Sequence, residues 1–118
     1  MIVSRTPLRM SFVGGGSDLA GFYRRFGGAV LSAAIDKYIY VSINRKFDNG
    51  IRVAYSKNEE VSSVDEIEHP LVRAALDMTG IQGGVEIATI ADVPSRGTGL
   101  GSSSSFTVGL LNGLAAFN

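Results

Sequence analysis

Pro94-Ser95-Arg96-Gly97-Thr98-Gly99-Leu100-Gly101-Ser102-Ser103-Ser104-Ser105 lies between an apolar, strand-like run, Val85 to Ile90, and an uncharged stretch that reads as a helix towards Asn118. Strand, glycine-rich turn and helix in that order have a physical meaning. A helix N-terminus presents unpaired N–H groups and partial positive charge, and glycines ahead of it let a phosphate come close. Serines just inside the helix add hydroxyls that can bond a phosphate oxygen or ligate Mg²⁺, which prefers oxygen donors. The better-known cradles do not fit. No Lys follows Gly101 as a Walker loop requires, neither glycine cluster spells G-x-G-x-x-G, and the G-x-S-x-G elbow of serine hydrolases is absent. On spacing alone, a turn that merely caps the helix is the competing reading.

The rest of the composition narrows the class. The chain has 118 residues, 11 basic and 11 acidic side chains, 15 glycines, 3 prolines and no cysteine. That length suits one ordinary domain with a real core. Without cysteine there is no thiol nucleophile and no Cys-based metal or iron–sulfur site. A charged share of 19% beside 45% hydrophobic residues excludes an intrinsically disordered chain. Zero net charge gives no broad positive field for a phosphate backbone, so no nucleic-acid partner is expected. Arg5 and Arg9 interrupt the apolar start before a signal-peptide core can form, which points to the cytoplasm. Phe106 to Phe117 is apolar, but Gly109, Asn112 and Gly113 interrupt it and it falls short of a membrane span, so no membrane partner is expected either.

Periodicity predicts about five strands and three helices in one mixed α/β unit. Ile2 to Thr6 alternates as a strand, Pro7 interrupts it, and Leu8, Met10 and Phe12 resume the alternation before Gly14-Gly15-Gly16. Ser17 or Asp18 should cap a short helix over Leu19 to Phe26, with Leu19, Phe22, Tyr23 and Phe26 on one face and Gly27-Gly28 as its stop. Ala29 to Ile35 reads as a central strand and Tyr38 to Phe47 as another. Asp48-Asn49-Gly50 then signals a hairpin into Ile51 to Tyr55. Ser56 to Glu68 reads as a polar surface loop. Pro70 opens a helix to about Thr79, with Leu71, Ala74, Ala75 and Met78 facing inward and Gly80 behind its end.

The loop Pro94 to Ser105, centred on Gly99-Leu100-Gly101-Ser102-Ser103, resembles the ATP loop of the GHMP kinases, the family of galactokinase, homoserine, mevalonate and phosphomevalonate kinases. Pro7-Leu8-Arg9-Met10-Ser11-Phe12-Val13-Gly14-Gly15-Gly16-Ser17-Asp18 independently resembles the family's N-terminal motif, in which a Pro-x-Arg strand leads to a sugar-binding loop. Within the family, this motif, Gly27-Gly28-Ala29-Val30-Leu31-Ser32 and Ile35-Asp36-Lys37-Tyr38 are most similar to the heptose kinases acting on D-glycero-D-manno-heptose 7-phosphate.

The resemblance implies an α+β fold, the GHMP kinase N-terminal domain, in a ribosomal-protein-like mixed sheet with helices packed on it. It implies ATP and Mg²⁺ as cofactors, a small-molecule sugar as substrate, and leaves room for a homodimer. Carried over by position, Arg9 would sit by the transferring phosphate as the catalytic cation, and Gly15, Gly16, Ser17 and Asp18 would bind the sugar. Gly97, Gly99, Leu100, Gly101, Ser102, Ser103 and Ser104 would hold ATP, with Ser103 contacting Mg²⁺. Galactokinases carry Glu-His where this chain has Gly15-Gly16, which disfavours galactose. The family's catalytic aspartate and third glycine-rich motif would lie beyond residue 118. The uncharged last helix, without a cationic final turn or glycine stop, agrees with a fragment: residues 1–118 as the N-terminal ATP-binding part, without its C-terminal domain.

Other chemistry-bearing residues have simpler roles. His69 before Pro70 reads as a surface or helix-capping residue, Arg24, Arg25 and Lys37 as solvated, and Tyr38 and Tyr40 as packing. Asp65, Glu66 and Glu68 read as an acidic loop rather than a metal site. Arg96 could reach the nucleotide.

Overall fold

A computed structural model describes residues 1–94 and 99–118. Its secondary structure is five strands, β1 (Ile2–Val13), β2 (Leu31–Arg45), β3 (Ile51–Ala54), β4 (Asn58–Val61) and β5 (Val85–Ala91), and three α-helices, α1 (Ala20–Phe26), α2 (Pro70–Thr79) and α3 (Ser102–Phe117). The strands form one mixed sheet in the order β1-β2-β5-β3-β4, antiparallel except for the β3·β5 pair. This bears out the α+β expectation.

Several boundaries differ from the sequence reading, each for an identifiable reason. At Pro7 the expected interruption is present, as an irregularity inside one strand. β1 is an edge strand, where a residue without an N–H is tolerated, and the ladder to β2 shifts register between Pro7 and Arg9. Ala29 to Ile35 is not a central strand. Leu31 onwards is the exposed first half of β2, whose second half alternates Ile39, Val41 and Ile43 into the core. Asp48-Asn49-Gly50 is no hairpin, because β3 pairs with β4 and β5 and not with β2. That turn is instead pinned by Gly84, whose N–H donates to the Asn49 and Gly50 carbonyls and whose carbonyl accepts from Lys46 N–H.

Ser56 to Glu68 contains β4, and within it the buried carboxylate of Glu59. α2 spans the expected residues, but it buries Val72, Ala75 and Leu76 and leaves Met78 exposed. Its predicted inner face was thus rotated by about one position.

The core gathers Val41, Ile43, Ile51, Val53, Val85 and Ile87 of the sheet under Val72 and Leu76 of α2 and Leu110 and Leu114 of α3. Glycines let α3 lie close on the sheet. A Cβ on Gly109 would stand 2.6 Å from Thr6 Oγ1, and one on Gly113 2.7 Å from Ile43 Cδ1. Ser105 Oγ donates to the Pro7 carbonyl at 3.0 Å, so the first turn of α3 is fastened to β1.

Residues 9–38 contribute no buried side chain. They form an arm of β1's far end, α1 and β2's beginning. The radius of gyration, 15.7 Å, exceeds the roughly 13.5 Å usual for this length. The inner face predicted for α1 is exposed: Leu19 71%, Phe22 47%, Tyr23 44% and Phe26 71%.

Candidate active site

Two glycine loops flank β1. At one end, Gly101 is the N-cap of α3 with φ +73°, a conformation that disfavours any residue with a Cβ, and Gly99 has φ +65°. Ser102, Ser103 and Ser104 form the first turn of α3, and no hydroxyl of these three bonds another described residue. Arg9 comes from β1 to meet this turn. Its N–H donates to the Leu100 carbonyl at 3.1 Å, its Nη1 donates to Ser11 Oγ at 2.8 Å, and a Cβ on Gly101 would lie 3.1 Å from its guanidinium carbon. A guanidinium, free helix N–H groups and free hydroxyls therefore converge where a phosphate can approach. Gly97 and Arg96 lie outside the described residues.

At the other end, Gly14 (φ +89°) leads into a 3-10 turn, Gly15–Asp18. Here Ser17 holds the loop rather than capping α1 as expected. Its hydroxyl donates towards the carbonyls of Gly14 (2.7 Å) and Ala29 (3.0 Å) and accepts from Ala29 N–H at 3.1 Å. Leu19 is the N-cap of α1 and makes no side-chain cap. Gly15 and Gly16 are exposed, and a Cβ on either would meet nothing within 4 Å. Asp18, Ser17, Tyr23, Gly28, Ala29 and Val30 line a cavity of about 290 Å³. No described residue of the α3 loop lines it, so the described residues join Arg9 to the phosphate loop but leave the Asp18 cavity separate.

A larger cavity, about 470 Å³, opens beside the first turn of α3 and was not foreseen in the sequence. Ser102 and Ser103 form its rim, and Tyr55, His69 and Phe106 part of its wall. Behind the wall lies Glu59, 8% exposed. Its carboxylate accepts from Tyr55 Oη (2.7 Å), Glu68 N–H (2.7 Å) and His69 N–H (3.3 Å). Burial opposes its charge, but these donors prevail and hold the carboxyl below its ordinary range. The same bond to Glu59, helped by burial, raises the Tyr55 phenol and keeps it a donor.

The His69 ring stands edge-on to Tyr55 with centroids 4.8 Å apart, and lies 5.4 Å from Phe106. Its Nδ1 accepts from Val72 N–H at 3.5 Å, bearing out a capping role. Burial lowers its pKa, with Glu59 pulling the other way. The signal that could have located Glu59 was an acidic residue within the alternation Asn58 to Val61, two positions from an inward-facing valine.

Among the described residues no group of three or more His, Asp or Glu is placed to hold a metal ion. Glu66 accepts from Ser62 N–H and Glu68 pairs with Lys57. No helix among the described residues is long and apolar enough to cross a membrane.

Fold and loops define the class: an α+β domain with a glycine–serine cradle at a helix N-terminus and a second glycine loop on the adjoining strand. Residues 66–118 match the model of the GHMP kinases N terminal domain. The chain is 30% identical, over 97% of its length, to D-glycero-alpha-D-manno-heptose 7-phosphate kinase of Campylobacter jejuni, and spans 37% of that protein. It is 31% identical, over 92% of its length, to the bifunctional fucokinase/GDP-fucose pyrophosphorylase of Arabidopsis thaliana, spanning 12% of it. The crystal structure of a D-glycero-D-manno-heptose 1-phosphate kinase from Bacteroides thetaiotaomicron superposes with a TM-score of 0.84 at 27% identity, covering 99% of this chain and 42% of that one. The chain is thus similar to sugar kinases over nearly its whole length, and its residues 66–118 match the N-terminal model of the GHMP kinases.

Proposed function

We propose that the protein is an ATP-dependent kinase that phosphorylates the anomeric hydroxyl of a heptose phosphate, D-glycero-D-manno-heptose 7-phosphate, and that residues 1–118 are its N-terminal, ATP-binding part. One observation carries the reading: Arg9, on the strand that leads to the sugar loop, packs against Gly101 at the α3 cradle. A cation is thereby fixed beside the groups suited to the β- and γ-phosphates.

In this reading Asp18 accepts hydrogen bonds from sugar hydroxyls, the role an ionised carboxylate fills best. The N–H groups of Gly99 to Ser103 hold the phosphates. The sugar oxygen attacks the γ-phosphorus, the bond from that phosphorus to the bridging oxygen breaks, and ADP leaves with the bridging oxygen. The hydroxyl proton passes to a base expected outside residues 1–118. Arg9 offsets charge on the transferring group. Ser103, an exposed residue whose hydroxyl bonds no described residue, fits a Mg²⁺ contact, with Ser102 second; the ion would neutralise phosphate charge. The 470 Å³ cavity beside Ser102 and Ser103 is the seat for the nucleoside, within the usual 300–1,000 Å³ or so of small-molecule sites. The likeness to a fucokinase favours fucose as the second acceptor. Cytoplasmic residence and a homodimer accord with the same reading.

Titrating the full-length protein with Mg²⁺-ATP tests the cradle. Gly101→Val forces a branched residue into φ +73° and against Arg9, and should weaken ATP at least tenfold; unchanged affinity removes the assignment. A panel of heptose 7-phosphate, fucose, galactose and mevalonate identifies the acceptor. The isolated 118 residues should show no turnover in a coupled assay, because positioning and charge stabilisation need the whole site.

A further inference from the structure

His69 occupies an unusual place for a helix cap, since its ring is also part of the cavity wall beside the first turn of α3. Its two ring nitrogens are not equivalent. Nδ1 accepts the Val72 N–H, so in the neutral ring the proton resides on Nε2. No described residue bonds Nε2, and it is not a buried, unsatisfied atom. The ring cannot turn freely. Tyr55 stands edge-on to it, Phe106 lies against it, and Glu59 grips both the Tyr55 hydroxyl and the His69 backbone N–H. The lining of the cavity also includes the apolar side chains of Ile39, Leu71 and Val93. A flat heteroaromatic ring with an unprotonated nitrogen matches such a seat: apolar faces for stacking, and one fixed donor for an in-plane acceptor.

We propose that His69 reads the nucleobase, its Nε2–H donating to one ring nitrogen of a purine, with Glu59 and Tyr55 as positioning residues that hold the imidazole in that tautomer and orientation. This rests on taking the cavity as the nucleoside seat. The choice of a purine ring nitrogen follows from the donor that the α2 cap imposes. Substitution that keeps the cap but removes the donor separates recognition from folding.

The experiment is titration calorimetry of the full-length protein with ATP and its 1-deaza, 3-deaza and 7-deaza analogues, each lacking one ring nitrogen. In the unaltered protein one analogue should bind about five- to tenfold more weakly than ATP, the worth of one neutral hydrogen bond. If all three match ATP, the proposal is overturned without any variant. His69→Asn retains an acceptor for Val72 N–H, as Asn is a favoured N-cap, but places no donor where Nε2 stood. In that variant ATP should weaken by the same factor and discrimination against the one analogue should vanish. Persistence of that discrimination overturns the proposal. Ala91→Trp, which fills the same cavity, distinguishes the two ways of failing. Normal ATP binding by Ala91→Trp removes the cavity reading and the His69 role with it. Abolished binding, beside a His69→Asn protein that still discriminates, removes the His69 role alone.

Discussion

The two loops are built from the same residue types on different ground. Gly101 opens a 16-residue helix whose Phe106, Leu110 and Leu114 are sealed in the core. Gly14 opens a 3-10 turn and a 7-residue helix with no buried residue, held chiefly by the three bonds of Ser17. A loop seated on buried structure moves only when the domain does, whereas one on an exposed arm can open locally at low free energy. The phosphates of a nucleotide are constant in shape, and a fixed cradle suits them. Acceptors differ across the family, and the less supported loop is the one assigned to them.

The comparison can be broken first at its strong side. Leu110→Ala removes a fully buried side chain beneath the phosphate cradle and should cost about 2–5 kcal/mol, read from the urea midpoint. A loss below 1 kcal/mol or so would place α3 outside the core. On the weak side, Gly14→Ala puts a methyl against the Ala29 carbonyl and a side chain at φ +89°. The left-handed φ alone costs about 1–2 kcal/mol and the overlap with the Ala29 carbonyl adds to it, so the sugar loop should shift, raising the acceptor KM severalfold while the ATP KM holds. An equal rise in both KM values would mean that the loops are not independent.

Acid should act on the supported side. Glu59 is held ionised below its ordinary range, so its contribution is complete above pH 4.5 or so and is lost as pH falls through its depressed folded value. His69, held neutral, acts in the same direction, its contribution fading as pH drops below about 6.5. Thermal midpoints should therefore decline on acidification, and Glu59→Gln should flatten the lower part of that decline. The smallest effect is expected at Phe26→Ala in the 118-residue chain, within about 0.5 kcal/mol because the ring is 71% exposed. A loss above that would reveal a surface covering α1.

What the sequence disclosed follows the same division. Local chemistry was legible: Pro70 and Gly80 bracket α2, and Gly101 followed by serines marks the start of α3. So was the proximity of two motifs about eighty residues apart, through family resemblance rather than pattern. Long-range pairing was not. Asp48-Asn49-Gly50 has the local chemistry of a hairpin, yet β5 inserts beside β3, and only the register of distant strands decides that. The apolar run Ala29 to Ile35 looked interior because burial depends on what covers a strand, which composition does not state. Glu59 and the cavity wall escaped because their meaning comes from Tyr55, Glu68 and His69 folding back around one carboxylate.

β1 carries a consequence for how such a chain can change over time. Ser105 and Leu100 fasten Pro7 and Arg9 at one end, and Gly14 begins the other loop directly after Val13. The gap between the loops is therefore a residue count, at about 3.3 Å per residue along a strand. One inserted residue would lengthen that gap and, unless a bulge took it up, turn every following side chain to the opposite face. Met10, Ser11 and Phe12 can be exchanged for other residues far more freely than their number can be altered, so the strand works as a ruler whose markings may be repainted but not re-spaced.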